Sequence, residues 1–308
     1  MCSLWTFARN RTIIASIMQK LKILLAKGRI YDAVYTLLAD AGISLKLPDR
    51  TYFPITDQAD LAFQVVKPQI VSELLAAGKA DAGFSGRDWV AENGEEGAIE
   101  EVLDLHFDPV RIVAAIPETA DFSQLVQAKE LTVATEYQRL AERWLGAKDI
   151  RGTVFRTWGT SEGFVQDAPD SPAQILIDNT STGTSLKANR LKVVDTLMES
   201  STRFYASTRA MADPLKRRKV EELSMLFRAV LDARERVMLE MNVAQDKFDT
   251  LVATLPSMRS PTVSPLFGGE GYSVKIAVKK SEVPSLLPRL KAGGATDILE
   301  YELRKVMA

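Results

Sequence analysis

Short apolar runs alternate with segments of helical spacing from Leu21 to Leu186, and this predicts an α/β protein with mostly parallel sheets. Glycine- and hydroxyl-rich segments recur at the carboxyl ends of the predicted strands, where ligands of such sheets bind. Past residue 237 the order becomes strand, helix, strand, strand, helix, strand. That is the ferredoxin-like βαββαβ arrangement of a separate small domain.

Leu21-Lys22-Ile23-Leu24-Leu25 reads as the first strand and ends near Lys27-Gly28-Arg29. Ile30, Val34, Leu37 and Leu38 then share one face of a helix reaching Ala41. Phe63-Gln64-Val65-Val66 is a second strand. Pro68 suits the first turn of a helix that Ile70, Leu74 and Leu75 carry to Gly78. Strands follow over 80–84, 110–116 and 131–134, then a helix over 137–145 and strands over 153–158 and 173–177. One long amphipathic helix spans 212–237, with Pro214 near its first turn. In the tail, 237–241, 261–265, 272–278 and 296–304 read as strands, and 245–255 and 283–292 as helices. The tail shows no obvious catalytic group and reads as a regulatory or assembly module.

The 308 residues suffice for two or three domains, and 46% hydrophobic with 26% charged residues is an ordinary soluble mix. A net charge of −1 supplies no general attraction for nucleic acid or anionic membrane. The single cysteine, Cys2, excludes an intramolecular disulfide and a Cys-rich zinc site. The single histidine, His106, argues against a His-based metal centre or a serine triad, and reads as a structural residue beside a strand. No apolar stretch approaches membrane-spanning length, so a cytoplasmic location is expected. In residues 1–17, Arg9 and Arg11 precede a short apolar run with no cleavage pattern after it. A frayed extension is expected there, or a translation start at Met18.

The strand over 173–177 runs into Asp178-Asn179-Thr180-Ser181-Thr182-Gly183-Thr184-Ser185-Leu186. A phosphate needs several donors converging on one point. Backbone N–H groups at a helix start, with the hydroxyls of Ser181, Thr182, Thr184 and Ser185, supply them. Gly183 lets the backbone approach without a Cβ in the way. Asp178 is placed to accept hydrogen bonds from two neighbouring sugar hydroxyls, so the set suits a ribose 5-phosphate. The same residues also suit an ordinary capped strand-to-helix turn. Lys27-Gly28-Arg29, Gly86-Arg87-Asp88 and Gly159-Thr160-Ser161-Glu162 stand at other strand ends, either as plain turns or as parts of one cleft.

On these residues the chain resembles the ATP phosphoribosyltransferase family from about Leu21 to Ala308. The carrying stretches are K-G-R at 27–29, A-D-A-G-F-S-G-R-D at 80–88, V-A-T-E-Y at 133–137 and D-N-T-S-T-G-T-S-L-K-A-N at 178–189. S-P-T-V-S-P-L at 260–266 and G-A-T-D-I-L at 294–299 match the tail of the long, self-regulated form. The chain differs from the family's usual residues at Ile70, Gln138, Gln174 and Arg190, the last standing where glycine is common.

The resemblance implies a two-lobed core like a periplasmic binding protein, with the active site between lobes. Lobe I is 18–108 with 196–236, lobe II is 109–195, and 237–308 is the regulatory domain. The implied reaction joins ATP to phosphoribosyl pyrophosphate (PRPP) and releases pyrophosphate, as the first step of histidine biosynthesis. It requires Mg²⁺, carried on the substrate's pyrophosphate and not in a side-chain metal site. The assembly is implied to be a homo-oligomer, dimeric when active and hexameric overall, with histidine as inhibitor.

Asp178 with Ser181, Thr182, Gly183, Thr184 and Ser185 is expected to hold PRPP. Lys27 and Arg29 are expected to act catalytically beside Asp178, facing pyrophosphate or ATP phosphates, unless they are solvated turn charges. Gly28, Gly86, Tyr137 and Glu162 complete the expected nucleotide site, Glu162 being equally suited to cap a helix. Asn242, Thr262 and Asp297 match positions around the histidine effector, or form strand-end hydrogen bonds. The rival reading is a non-catalytic sensor of a nucleotide or amino acid, or a paralogue with another acceptor.

Overall fold

The computed structural model describes residues 20–95, 97–127, 131–168, 170–256 and 260–307, and the extension expected at 1–17 lies outside them. The chain divides into two compact units, Met1–Ala39 with Ile43–Ser224, and Asp40–Gly42 with Met225–Ala308.

The first unit is built on strands β1 (Leu21–Ala26), β4 (Leu61–Val66), β5 (Ala82–Gly86), β6 (Ile99–Pro117), β7 (Leu131–Thr135), β8 (Gly152–Arg156), β9 (Ile175–Thr180) and β10 (Leu191–Ser207). Two-residue strands β2 (Leu45–Lys46) and β3 (Ile55–Thr56) form a separate hairpin. The eight form one sheet in the order β4-β1-β5-β10-β6-β9-β7-β8. β1 is buried at all positions but Lys22, as expected of a strand covered on both faces.

The expectation of mostly parallel pairing needs correction. β1 pairs in parallel with β4 and β5, and β7 with β8 and β9. β10 is antiparallel to β5 and β6, and β6 to β9. Two parallel sets are thus joined by two long antiparallel strands of 19 and 17 residues. β5 meets β10 at Thr202–Ala206, while β9 meets β6 at Arg111–Ala115. Between these patches the ladder is broken. His106 and Asp108 adopt left-handed φ of 55° and 46°, and the β6–β10 register slips between Ser200 and Thr202. The result is a two-lobed α/β core of the periplasmic-binding-protein kind. One lobe packs Leu24, Val71, Leu75 and Tyr205 together, and the other Ile112, Val133, Tyr137, Trp144 and Ile175.

β10 has no counterpart among the predicted elements, and β6 is far longer than the strand expected at 110–116. Both carry charges along their length and lack a sustained alternation. Burial of β10 is concentrated in its second half, from Ser200 onward, and its first half mixes polar and apolar residues without alternation. His106 sits exposed on the break, its backbone N–H donating to Asp104 at 2.8 Å. The helix expected over 212–237 is two helices, Thr208–Ala212 and Pro214–Arg234. Asp213 separates them by accepting from the N–H groups of Leu215 and Lys216 at 2.9 and 3.3 Å, with Pro214 at the first helical position.

The second unit contains β11 (Arg236–Ala244), β12 (Thr262–Pro265), β13 (Gly271–Lys279) and β14 (Ala295–Glu302) in the antiparallel order β12-β13-β11-β14. Helices Phe248–Val252 and Val283–Ala292 complete the ferredoxin-like order. Val237, Leu239, Met241 and Val243 alternate into the core against Leu251, Leu286 and Leu290. Among the described residues no helix is long and apolar enough to cross a membrane.

Candidate active site

β9 delivers Asp178 to the break between the lobes, and the chain then turns through Ser181–Gly183 into the helix Thr184–Ala188. Gly183 has φ +77° and open space where a Cβ would stand, so the turn needs glycine for its backbone conformation and the ground above it is clear. Its N–H donates to Thr180 Oγ1 at 3.1 Å, closing the loop. The Thr182 and Thr184 hydroxyls are 2.8 Å apart, and Ser185 donates to Glu162. Ser181, Thr182, Thr184 and Ser185 are all exposed. The loop therefore offers four exposed hydroxyls, of which Thr182 and Thr184 bond each other and Ser185 bonds one carboxylate.

Asp178 is different. Burial pushes its carboxyl up to about 7, with Glu162 and Glu136 adding repulsion, while the Asn179 N–H and Arg29 pull the other way. Asn179 donates to Asp178 Oδ1 twice, from its backbone at 2.7 Å and from Nδ2 at 3.2 Å. Nδ2 also reaches the Tyr137 hydroxyl at 3.2 Å, and that hydroxyl donates to Asp88 Oδ2 at 2.8 Å. Ser200 donates to Asp88 Oδ1 at 2.6 Å. Tyr137 is buried to 1% exposure and stacks on Trp89 with centroids 4.7 Å apart. Burial first, and Asp88 second, hold its phenol well above the ordinary range, so it stays protonated. Its ring is a floor under the cleft and has no face open to a ligand.

Lys27, Gly28 and Arg29 follow β1 at the cleft edge, with Gly28 at φ +112°. Arg29 pairs with Asp108 at 3.1 Å and donates to Asn179 Oδ1 at 3.3 Å. A cavity of about 230 Å³ is walled by Lys27, Arg29, Gly86, Glu136, Tyr137 and Asn179, among others. A second, of about 380 Å³, includes Arg87, Arg111, Thr180 and Ser181. A third, of about 510 Å³, is lined by Lys27, Gly28, Tyr31, Tyr52 and Val65 and carries more apolar wall. The Tyr31 hydroxyl in it is buried without a hydrogen-bond partner.

Several residues of the site were not singled out from the sequence: Asp88, Asn179, Ser200, Glu136 and Glu92. The Glu92 carboxylate accepts from the backbone N–H groups of Arg139 and Leu140, each at 3.0 Å. It thereby caps the helix Gln138–Ala147 from the other lobe, because Tyr137 and its neighbours supply no cap. Asp88 and Asn179 lay inside quoted motif stretches and carried a signal; Ser200, on the unassigned β10, carried none. The departures at Ile70, Gln138, Gln174 and Arg190 lie off the wall of the first cavity. Gln174 accepts from the Thr132 N–H at 2.9 Å, an edge contact of β7. Arg190 occupies φ +54°, the conformation glycine favours.

In the second unit Asn242 Nδ2 donates to Asp297 Oδ2 at 3.1 Å, and Asp297 holds φ +48°. Thr262 lies on β12, opposite Lys275, which in turn faces Glu240, two residues before Asn242. The first two residues are thus joined, and the third stands two strands away.

Fold and site together define a two-lobed α/β core with a hydroxyl-rich loop at its cleft, followed in the chain by a ferredoxin-like domain. The family model described as ATP phosphoribosyltransferase matches residues 67–229, and that of the HisG C-terminal domain matches 233–305. The ATP phosphoribosyltransferase of Pelotomaculum thermopropionicum is 36% identical over 293 residues, covering 94% of this chain and 99% of that protein. That of Thermodesulfovibrio yellowstonii is 34% identical, covering 93% and 98%. The solved ATP phosphoribosyl transferase (HisG:HisZ) complex from Thermotoga maritima shares the core fold, with TM-score 0.60 and 24% identity over 69% of this chain and 98% of that one. The chain belongs to the ATP phosphoribosyltransferase family, the enzymes of the first step of histidine biosynthesis.

Proposed function

We propose that the inter-lobe cleft transfers the phosphoribosyl group of PRPP to N1 of ATP, giving N1-(5-phosphoribosyl)-ATP and pyrophosphate, with Asp178 and the 181–185 loop gripping the donor. The observation that carries this reading is the juxtaposition of a half-buried carboxylate, Asp178, with an open, hydroxyl-lined loop, and with Arg29, which acts on Asp178 electrostatically and bonds the adjacent Asn179 on the wall of a cavity that Lys27 also lines. Thr182, Gly183, Thr184, Ser185 and Ser181 hold the 5-phosphate, which takes over the hydroxyls now bonded to Thr184 and Glu162. Asp178 accepts the ribose hydroxyls as a carboxylate. Lys27 and Arg29 balance the charge of pyrophosphate or ATP phosphates. The third cavity, with Tyr31 and Tyr52, provides an apolar wall of the kind a purine needs beside Lys27 and Gly28. Gly86, Tyr137 and Glu162 shape the nucleotide side indirectly, through the contacts described above.

Adenine N1 carries a lone pair and needs no prior deprotonation, so positioning and charge stabilisation carry the reaction without a general base. Members of the family work with a divalent metal ion. Glu136, Glu162 and Asp178 present hard oxygen donors, and among the described residues no three such side chains close into a metal site. Mg²⁺ would be carried mainly on the pyrophosphate, and Glu136 or Asp178 would be the side chains to help hold it. The ion supplies neutralisation of the departing pyrophosphate.

We take 18–108 with 196–236 and 109–195 as the two catalytic lobes, hinged at the break beside Asp108 and Ser200. Residues 237–308 form the regulatory domain. Histidine binds there near Asn242, Asp297 and Thr262 and inhibits, in a cytoplasmic homo-oligomer. The deciding experiment mixes the purified protein with ATP, PRPP and Mg²⁺ and follows the ultraviolet absorbance of the adduct. Adduct formation is expected, and saturable ATP binding without turnover would instead identify a sensor.

A further inference from the structure

Beneath the cleft lies a directional chain of hydrogen bonds that runs across both lobes. Asp88 opens the helix Arg87–Asn93, and its carboxylate only accepts, from Ser200 at 2.6 Å and from Tyr137 at 2.8 Å. Ser200 belongs to β10 where its register slips. Because the single Tyr137 proton is committed to Asp88, the phenol oxygen can only accept from its other side. It accepts from Asn179 Nδ2 at 3.2 Å. That fixes which end of the Asn179 amide faces which way: Nδ2 towards Tyr137 and Asp178, Oδ1 towards Arg29 at 3.3 Å. A neutral alcohol in place of Asp88 would leave the direction free.

Two further features guard the same seat. A Cβ on Gly86 would come within 2.2 Å of Asp88 Oδ1, so residue 86 is glycine to make room for that carboxylate. Trp89 stacks on the Tyr137 ring and bars its rotation. Asp88 is 5% exposed and Tyr137 1%, so both offer the first cavity, which they line, very little surface.

We propose that Asp88 and Tyr137 are positioning residues which, by fixing the Asn179 amide, aim the Asp178 carboxylate at the PRPP ribose and hold Arg29 of the opposite lobe in register with it. The proposal deepens the reading of Asp178 as the ribose-binding group and rests on it. The groups facing Asp178 are Glu136, Glu162, Arg29 and the Asn179 donors, with Tyr137 beyond them. Asn179 is therefore a lever on both the aim and the charge of that carboxylate.

The test compares four variants in steady-state kinetics with PRPP and with ATP and in thermal denaturation: Tyr137→Phe, Asp88→Asn, the double variant, and Asp178→Asn as reference. Tyr137→Phe and Asp88→Asn should each raise the PRPP KM or lower kcat by about tenfold while the ATP KM stays within about threefold. In the double variant no hydroxyl remains to fix the Asn179 amide, so PRPP kinetics remain impaired at least as far as in Tyr137→Phe. PRPP kinetics that recover in the double variant, or a Tyr137→Phe enzyme whose PRPP KM and kcat match those of the parent, would overturn the proposal. Should Tyr137→Phe fail to fold, Asn179→Leu at the partly exposed end of the chain must show the same PRPP-specific loss, and normal PRPP kinetics there overturn it equally. Normal turnover by Asp178→Asn would instead sink the ribose assignment itself.

Discussion

The hydroxyl-rich loop takes residues 178–185 from one contiguous stretch and leaves Ser181, Thr182, Thr184 and Ser185 exposed, whereas the floor beneath is gathered from residues 88, 137, 179 and 200 and is mostly buried. The loop's groups bond one another only loosely, so a ligand can replace those bonds at small cost. The floor's groups are paired out of water, where a lost partner leaves a donor or acceptor unsatisfied and costs about 1–3 kcal/mol. The loop is therefore built to exchange partners and the floor to keep them. Asp178 and Asn179 lie at the junction and take a property from each.

The sharpest way to break this contrast is at Asp178. Asp178→Ala should lower kcat/KM for PRPP by about 10²-fold, the loss of a charge-assisted bond pair. In the parent enzyme the acid form of Asp178 cannot accept both ribose hydroxyls, so kcat/KM should fall about tenfold per pH unit below about 7 and level off above it. The sign for stability is opposite. A carboxyl raised from its ordinary value to about 7 disfavours its own ionisation in the fold, so stability is lost as pH rises from about 4 to 7. Asp178→Asn should thus denature at higher temperature than the parent at pH 8 and gain little at pH 4. An equal gain at both pH values would show that burial does not raise this group.

The same contrast explains what could be read from the chain. The loop announced itself because its glycine, hydroxyls and acid are neighbours in sequence and follow an apolar run. The ferredoxin-like order was readable for a similar reason: Val237, Leu239, Met241 and Val243 alternate with period two on one strand. The floor was not. Tyr137 was expected near the nucleotide and lines the first cavity, but nothing in V-A-T-E-Y told that its ring would be almost wholly buried and its hydroxyl given to Asp88. Ser200 lies on β10, whose first half is mixed polar and apolar because it pairs in the middle of a sheet at the hinge. Its partner β6 likewise hid its length behind Glu100, Glu101 and Asp104. Antiparallel strands that cross two lobes are set by the tertiary fold, and a single-sequence pattern does not record them.

Gly86 offers the next largest effect and tests the floor alone. Gly86→Ala puts a methyl against a carboxylate that Ser200 and Tyr137 hold in place, and overpacking of this kind costs about 1–3 kcal/mol. We expect a fall of about thirtyfold in kcat/KM for PRPP together with lower thermal stability. If Gly86→Ala weakens ATP alone, the glycine serves the nucleotide directly, as first expected from its place at a strand end.

Asn242 and Asp297 make a pair of the exposed kind, joined by one 3.1 Å bond and free of the core. Asp297→Ala should leave the uninhibited rate as it was and raise the histidine concentration for half-inhibition about tenfold, as for loss of one charge-assisted contact. Unchanged inhibition would place the effector elsewhere.

Arg190 marks the smallest expected effect and isolates the backbone of the loop from its chemistry. It follows the Thr184–Ala188 helix in a left-handed conformation at φ +54°, where a side chain is strained and glycine is not. Relief of that strain, less the greater chain entropy of glycine, leaves a net gain of about 0.5–1 kcal/mol for Arg190→Gly. Because Arg190 is exposed and follows the last turn of the helix that carries Thr184 and Ser185, the gain should appear as a slightly higher Tm with PRPP kinetics unchanged. A kinetic change without a stability change would mean that the Arg190 side chain, and not its backbone, is what the loop uses.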